Sequence, residues 1–318
     1  MGLLSGVRVF FMGTPEFAVP SLVALSESGC QITGVASQPD RPRGRGRKLL
    51  PCAVKSKALE LGLDVFQPVR ANSPDFLNLL RDLQPDFLVV AAYGQILSQE
   101  LLDIAKIMPI NVHGSLLPQY RGAAPIQWAI INGEKTTGIT IMQMDAGMDT
   151  GPILRQCPLS IEDHETFGSL YKRMANLGAT CLTETLSAIQ TDQLKPIPQP
   201  ENGVTYAPPI KPELYKIDWQ LPAMRIANII RALDPKPGAY TMYNDNRLRL
   251  YSAFHIPESK APDADPGTLI DTQKDHISIA AGDGQLVGIR ELQWPGKKRM
   301  GVDAFLRGRP LPKGSIFS

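Results

Sequence analysis

Residues 110–130 read INVHGSLLPQYRGAAPIQWAI and pass from a strand pattern through a polar loop into a helix pattern. Ile110 and Val112 are the apolar residues of the strand, and helix-forming residues resume at Ile126. Open α/β sheets carry their sites on loops that lead from the carboxyl end of a strand to a helix. The stretch therefore indicates an α/β fold and also the place of its site.

Strand and helix patterns alternate upstream of this stretch. Apolar runs predict strands at residues 7–12, 32–36 and 86–94, and amphipathic runs between them predict helices. Such alternation predicts a doubly wound, Rossmann-like, mostly parallel sheet. The first strand ends in a single glycine, Gly13, and not in Gly-x-Gly-x-x-Gly. We therefore expect no NAD site in this sheet.

The composition of the chain changes after residue 190. Prolines recur throughout residues 191–212, which excludes a long helix or a central strand there. Beyond them, short strand patterns separated by Gly, Pro and Asp predict a small β-barrel of OB-like type. The predicted division is an α/β domain at 1–190, a proline-rich linker at 191–212 and a barrel domain at 213–318.

Composition narrows the class of protein. The 318 residues are 43% hydrophobic and 20% charged, as in ordinary globular proteins, and a net charge of +2 does not by itself demand a nucleic-acid partner. No apolar run approaches the roughly 20 residues of a membrane span, and no signal-peptide pattern is present. The four scattered cysteines form no Cys-x-x-Cys pair, so we expect reduced thiols, no metal and a cytoplasmic protein.

The most promising polar pair is Asn111 with His113. Alternate residues of a strand point to the same face, so these two side chains project together while Val112 points away. An amide donor beside an imidazole can hold a carbonyl oxygen and handle a proton. The same residues beside a turn can instead satisfy backbone groups, and spacing alone leaves both interpretations open.

Longer motifs resolve this ambiguity through a resemblance. In chain order they are MGTPEFAVP (12–20), QPDRPRGRGRKLLPCAVK (38–55), NVHGSLLPQYRGAAPIQWAI (111–130) and TGITIMQMDAGMDTG (137–151). The chain resembles the folate-dependent formyltransferases in these motifs, and the resemblance runs in order through most of its length. Since the motifs are long, chance is a poor explanation.

The resemblance implies that Asn111, His113 and Asp149 are catalytic. In that chemistry, an amine attacks a formyl carbon carried on a folate nitrogen, and the carbonyl oxygen becomes an oxyanion that Asn111 and His113 would stabilise. Asp149 would orient His113 and support its charged form. Asp145 is the rival carboxylate, and we interpret it as a turn residue. The group that removes the proton of the amine stays open, with water as one candidate.

The resemblance also implies a folate pocket. Ser115, Leu116, Leu117 and Pro118 match the segment that lines this pocket in the family. Leucine and proline suit a flat pterin ring, and backbone groups would recognise its edge. The expected formyl donor is 10-formyltetrahydrofolate, a small-molecule co-substrate.

A basic loop follows the second predicted strand. Its five cations, without an acid among them, are Arg41, Arg43, Arg45, Arg47 and Lys48. Charge runs are usually solvated surface, but arginines in a glycine-rich loop also suit phosphate, and the resemblance implies contact with the acceptor end of initiator tRNA. Arg45 lies in the Gly-Arg-Gly core of the matching motif.

The barrel domain is expected to touch the tRNA as well. Its late basic residues are Lys297, Lys298, Arg299, Arg307, Arg309 and Lys313. The resemblance implies that the barrel contacts an arm of the tRNA, although this charge balance alone would fit an ordinary solvated surface equally well.

The function expected from these observations is transfer of a formyl group from 10-formyltetrahydrofolate to the amino group of methionine esterified to initiator tRNA. The family suggests a monomer. One alternative is formyl transfer to a small amine, such as an amino-sugar nucleotide or a purine precursor. Another is a tRNA-binding module without catalytic activity.

Overall fold

The structure is a computed structural model, and it describes residues 4–43, 48–261 and 263–318. The strands of the N-terminal part are β1 Arg8–Gly13, β2 Gln31–Ala36, β3 Arg41–Arg43, β4 Lys48–Leu50, β5 Val65–Phe66, β6 Phe87–Ala91, β7 Met108–His113, β8 Thr136–Gln143 and β9 Ile153–Ser160. The strands that follow are β10 Ala239–Tyr243, β11 Asn246–Lys260, β12 Leu269–Thr272, β13 Ile277–Ala280, β14 Gln285–Gln293 and β15 Met300–Gly301. The helices are α1 Val19–Glu27, α2 Ala53–Glu60, α3 Pro74–Leu83, α4 Gln99–Leu102, α5 Pro125–Ile131, α6 Phe167–Gln190, α7 Ala223–Ala232 and α8 Val302–Gly308.

The first sheet has the strand order β5-β2-β1-β6-β7-β8-β9. Pairing is parallel from β5 to β7, and β8 runs antiparallel to β7. The prediction of a Rossmann-like, mostly parallel sheet is confirmed. Among its parallel strands the order of connection reverses between β1 and β6, which is the place where doubly wound sheets open a binding crevice.

Strands β6 and β7 lie at the centre of this sheet. All five residues of β6 are buried, because both faces of a central parallel strand are covered. Val112 of β7 packs against α6 where Gly178 leaves room for it, since a Cβ at Gly178 would lie 3.0 Å from Val112 Cγ1. With Val112 turned into the core, Asn111 and His113 face the other side of the sheet.

One expectation about the cysteines is wrong. The structure joins Cys157 of β9 to Cys181 of α6 as a disulfide, whereas Cys30 and Cys52 are free. The two partners lie 24 residues apart, and no spacing motif reveals that this strand and this helix pack together.

The second sheet is antiparallel, with the strand order β10-β11-β14-β13-β12 and with β15 paired to β14. Residues 315–318 close it. Ser318 exchanges two backbone hydrogen bonds with Met242 of β10, while Ser315 and Phe317 bond to Leu269 and Gly267 at β12. Since this segment joins the two edge strands, the sheet curls into a barrel and the predicted β domain is confirmed.

By the contacts within the chain, the protein divides into two compact units. The first contains residues 1–122, 137–159 and 171–206, and the second contains residues 123–136, 160–170 and 207–318. Each unit is therefore assembled from three separate stretches of sequence. The predicted division at residues 190 and 212 stays a prediction, but residues 197–206 are part of the first unit by their contacts.

Arg299 fixes a buried carboxylate in the second unit. Its guanidinium donates to both carboxylate oxygens of Asp234, which is 2% exposed, and to Glu291 Oε2. It also lies over the ring of Tyr251, 4.2 Å from the centroid. A buried carboxylate is stable only when such partners compensate for lost hydration.

We predict that Arg299→Ala lowers the free energy of unfolding by about 3 kcal/mol, because it leaves Asp234 buried without its cation. Urea unfolding of the whole chain measures the change, with Lys298→Ala as the control for an exposed neighbouring cation. The control should stay within about 0.5 kcal/mol of wild type. Equal stability of Arg299→Ala and Lys298→Ala would contradict the assigned role of Arg299.

The stability that Arg299 contributes through Glu291 should also depend on pH. The hydrogen bond from Arg299 is the main cause that holds the pKa of Glu291 below its ordinary value of 4.5. A lowered folded-state pKa stabilises the protein above the unfolded-state value, and the benefit is lost as pH falls through the folded-state value. The stability difference between wild type and Arg299→Ala should therefore shrink in acid below about pH 4.5.

Candidate active site

Three polar side chains meet at the carboxyl end of β7. Asn111 and His113 come from the strand itself, and Asp149 comes from the loop between β8 and β9. Asn111 Nδ2 lies 3.4 Å from Asp149 Oδ1, and His113 Nδ1 lies 3.6 Å from the same oxygen. Although Asp149 is 38 residues from Asn111, the structure brings all three residues together.

The ring of His113 is held in place through its Nε2 atom. Nε2 lies 3.1 Å from the backbone oxygen of Tyr120, and the residue is 5% exposed. Because a carbonyl oxygen can only accept, this contact requires the hydrogen to be on Nε2. Nδ1 is then left facing Asp149, as a lone pair in the neutral ring or as a second donor in the charged ring.

Asp149 adopts a backbone conformation that is uncommon for residues other than glycine. Its φ of 53° lies in the left-handed region, where Asp is tolerated better than most residues. Its Oδ2 accepts a hydrogen bond of 2.8 Å from the backbone nitrogen of Gly122. One oxygen thus binds the loop after β7, while the other faces Asn111 and His113.

Asp145, the rival carboxylate, closes the turn before Asp149. Its Oδ1 accepts from Gly147 N at 3.0 Å and from Thr150 Oγ1 at 2.7 Å. This is the turn role that was predicted for it.

The segment expected to line a folate pocket is only partly open. Ser115 and Leu117 are buried, and Ser115 Oγ donates to Gln119 O at 2.6 Å. Leu116 and Pro118 are half-buried, so their apolar surfaces are the ones within reach of a ligand. Thr140 of β8 fixes this segment, donating to Ser115 O and accepting from Leu117 N.

Gln199 is a site residue that the sequence did not reveal. Its Nε2 donates to the backbone oxygens of Asp149 and Gly151, both at 2.8 Å. Its Oε1 accepts from Arg121, at 3.2 Å from Nε and 2.7 Å from Nη2. The amide therefore joins the Asp149 loop to the loop after β7. Gln199 lies in the stretch that was predicted to be a linker.

Thr205, in the same stretch, holds the other loop. Its Oγ1 accepts from Tyr120 N at 2.8 Å, and its backbone oxygen accepts from Arg121 N at 2.9 Å. Neither Gln199 nor Thr205 belongs to a periodic pattern or to a motif, so only their contacts identify them.

The predicted tRNA loop begins and ends in a β-hairpin, β3–β4, in which Arg41 pairs with Leu50. Arg41 is exposed. Arg45 and Arg47 lie outside the described residues, as do the side chains of Arg43 and Lys48.

An ion pair lies at the base of this hairpin. Lys55 Nζ lies 2.7 Å from both Asp40 Oδ2 and Gln67 Oε1, and Gln67 Nε2 donates to Asp40 Oδ1. The residue that precedes the basic segment and the helix that follows it are therefore joined to each other and to Gln67, which follows β5.

Four of the late basic residues of the second unit have partners within it. Arg299 binds Asp234, Arg307 pairs with Asp303, Lys313 pairs with Asp271, and Arg309 stacks on Trp294. Among the described residues, the exposed Lys297 and Lys298 form no ion pair. Contact of this unit with tRNA stays a prediction.

In the part of the chain that the structure describes, no group of three or more His, Cys, Asp and Glu side chains could hold a metal ion. None of its helices is both long and apolar enough to cross a bilayer.

An amide donor, an imidazole and a carboxylate lie together at the carboxyl ends of the strands of a Rossmann-like sheet. Enzymes that transfer acyl groups use side chains of these types to stabilise an oxyanion and to move a proton. Comparison with known proteins gives the family. Residues 7–186 match the model described as formyl transferase, and residues 209–310 match formyl transferase, C-terminal domain. The chain belongs to the formyl transferase family.

Similar proteins cover nearly the whole chain. A methionyl-tRNA formyltransferase from Caldanaerobacter subterraneus is 46% identical over 98% of this chain and 99% of its own length. One from Acetivibrio thermocellus is 43% identical over the same shares. A solved N-formyltransferase from Helicobacter canadensis, in complex with folinic acid and dTDP-3-aminofucose, has a TM-score of 0.67 over 89% of this chain and 98% of its own. At 18% identity, that structure supports the fold alone.

We predict that replacing Asp149 lowers turnover much more than replacing its neighbour Asp145. Asp149→Asn should lower turnover roughly 100-fold or more, because it removes the charge that faces His113 and Asn111. Asparagine tolerates positive φ and can still accept from Gly122 N, so the melting temperature should change little. Asp145→Asn, made in the same loop, is the control and should keep most turnover. Similar turnover in the two variants would contradict the assignment of Asp149 to the site.

Proposed function

We propose that this protein transfers the formyl group of 10-formyltetrahydrofolate to the amino group of methionine on initiator tRNA. The observation that carries the proposal is full-length similarity: relatives at 43–46% identity over 98% of the chain are methionyl-tRNA formyltransferases. Such a substrate would put the enzyme in the cytoplasm, where translation begins.

In this proposal Asn111 stabilises the developing oxyanion. Attack of the amine on the formyl carbon moves negative charge onto the carbonyl oxygen. Asn111 Nδ2 reaches Asp149 only at 3.4 Å, a long contact that a stronger acceptor would displace. A well-placed oxyanion donor contributes roughly 3 kcal/mol to lowering the barrier.

His113 and Asp149 manage the proton in this scheme. Nε2 is bonded to Tyr120 O, so Nδ1 is the ring nitrogen that can exchange a proton. The carboxylate of Asp149 stabilises the ring when it is charged, because it lies 3.6 Å away and is itself held by Gly122 N. The amine must be neutral to attack, and the surplus proton that it then carries passes through this pair or through water. The intermediate collapses as the bond between the formyl carbon and the folate nitrogen breaks, and that nitrogen takes up a proton, which releases tetrahydrofolate.

The folate would lie against Leu116 and Pro118. These two half-buried side chains offer apolar surface beside the reacting groups, whereas Ser115 and Leu117 are turned into the protein and act by shaping the loop. The residues present fit a flat, partly apolar co-substrate.

The tRNA would be recognised first by the basic segment 41–48. Arg41 is exposed at its base, and the Asp40–Lys55–Gln67 cluster fixes the point from which it extends. Cations at such a position bind phosphate and make binding sensitive to salt.

The proposal is tested by a direct assay. The protein is incubated with 10-formyltetrahydrofolate and methionyl initiator tRNA, and the formylated methionine is separated after release from the tRNA. We expect turnover that saturates with tRNA and weakens with salt. Transfer to an amino-sugar nucleotide or a purine precursor, with none to charged tRNA, would overturn the proposal. The absence of transfer to any amine, together with tight tRNA binding, would favour the binding module.

Variants of the basic segment separate its role from catalysis. Arg41→Ala and Arg45→Ala should each raise the KM for charged tRNA, because a lost phosphate contact weakens binding. The KM for the folate should stay within about twofold, since a phosphate contact of the tRNA takes no part in binding the folate.

Lys172→Ala is the matched control, because it removes an exposed cation from the same unit. Steady-state kinetics at two salt concentrations compare the variants. If the control raises the KM for tRNA as much as Arg41→Ala does, net charge alone explains binding and the segment has no special role.

A further inference from the structure

Both contacts of the His113 ring are made by residues with unfavourable backbone conformations. Nε2 meets Tyr120 O, and Nδ1 faces Asp149; the φ angles of these two partners are 60° and 53°. Left-handed conformations are uncommon for residues other than glycine and persist only where surrounding structure holds them. The position of His113 therefore depends on whatever holds Tyr120 and Asp149.

Gln199 holds Asp149. Its Nε2 donates to Asp149 O and Gly151 O, so it binds the backbone on both sides of Thr150. Its Oε1 accepts two hydrogen bonds from the Arg121 guanidinium. The next residue, Gly122, donates its backbone N–H to the Asp149 carboxylate. Only a primary amide supplies two donors and an acceptor at one such point.

Thr205 holds Tyr120. Its hydroxyl accepts from the backbone nitrogen of Tyr120 at 2.8 Å, and its carbonyl accepts from the next nitrogen, that of Arg121, at 2.9 Å. Gln199 and Thr205 are six positions apart in the sequence, so one short segment supports both residues that touch His113.

We infer that Gln199 and Thr205 are positioning residues of the formyl-transfer reaction, acting through Asp149 and Tyr120. The inference rests on the proposed function, and it gives residues 199–205 a part in the chemistry that the proposal does not assign. Gln199 fixes the carboxylate against His113 and Asn111. Thr205 fixes the carbonyl that sets which ring nitrogen carries the hydrogen.

The test is a double-mutant cycle on kcat with the four proteins wild type, Gln199→Ala, Asp149→Asn and the double variant. Gln199→Ala should lower kcat about 10- to 100-fold, because small displacements of a catalytic group are costly, with both KM values within about threefold. In the Asp149→Asn background the same change should cost less than about threefold, because the residue on which Gln199 acts has already lost its function.

The control is Gln193→Ala, which truncates the same residue type at an exposed position of the same stretch. Its kcat should match that of wild type. Gln199→Glu keeps an acceptor for Arg121 but sets a carboxylate against two carbonyl oxygens, so it should lose at least as much turnover as Gln199→Ala. For Thr205, valine removes the acceptor and serine retains it, so Thr205→Ser should turn over faster than Thr205→Val.

The outcomes distinguish the inference from the function on which it rests. No formyl transfer by the wild-type protein would refute the proposed function. A wild-type protein that is active, together with a Gln199→Ala variant of equal kcat, would refute the positioning role alone. The kcat of the double variant could instead fall by the product of the two single losses, with a lower melting temperature for Gln199→Ala. Gln199 would then be a general structural residue, and the inference would also be overturned.

Discussion

The site depends on how one imidazole is held. His113 is almost completely buried, donates from Nε2 to Tyr120 O and presents Nδ1 to Asp149. Each of these two partners has a left-handed backbone conformation, which costs of order 1–3 kcal/mol for a residue other than glycine. The cost is offset by hydrogen bonds that Gln199 and Gly122 donate to Asp149 and by one that Thr205 accepts from Tyr120 N, so the ring orientation is a property of several loops acting together.

Sheet topology explains why these loops meet. Strand β8 runs antiparallel to β7, with Gln143 opposite Ile110 and Thr140 opposite His113. The loop that follows Gln143 therefore starts beside the strand that carries the polar pair, and it needs only a short path to bring Asp149 to Asn111. Gly151 permits the return, because a Cβ there would lie 1.9 Å from Gln143 O.

Much of this arrangement could be predicted from the sequence. Alternating apolar runs were sufficient for the Rossmann-like sheet, and the period-two rule placed Asn111 and His113 on one face. Asp149 could be named only through the resemblance of its motif, since a carboxylate in a loop of small residues has no periodicity to place it. The positions of Gln199 and Thr205 could not be predicted, because hydrogen bonds across 50 and 85 residues leave no local pattern. The same reason applies to the pairing of Cys157 with Cys181 and to the internal partners of Arg299.

Because each unit is built from three separate stretches of the chain, activity lost on truncation needs careful interpretation. A fragment that stops at residue 190 retains Asn111, His113 and Asp149, but it lacks residues 191–206 of the first unit, and with them Gln199 and Thr205. Loss of activity in that fragment would thus not demonstrate that the barrel recognises the acceptor molecule. Truncation after residue 206 would be the more informative comparison, although even there residues 123–136 and 160–170 would be without the partners they have in the second unit.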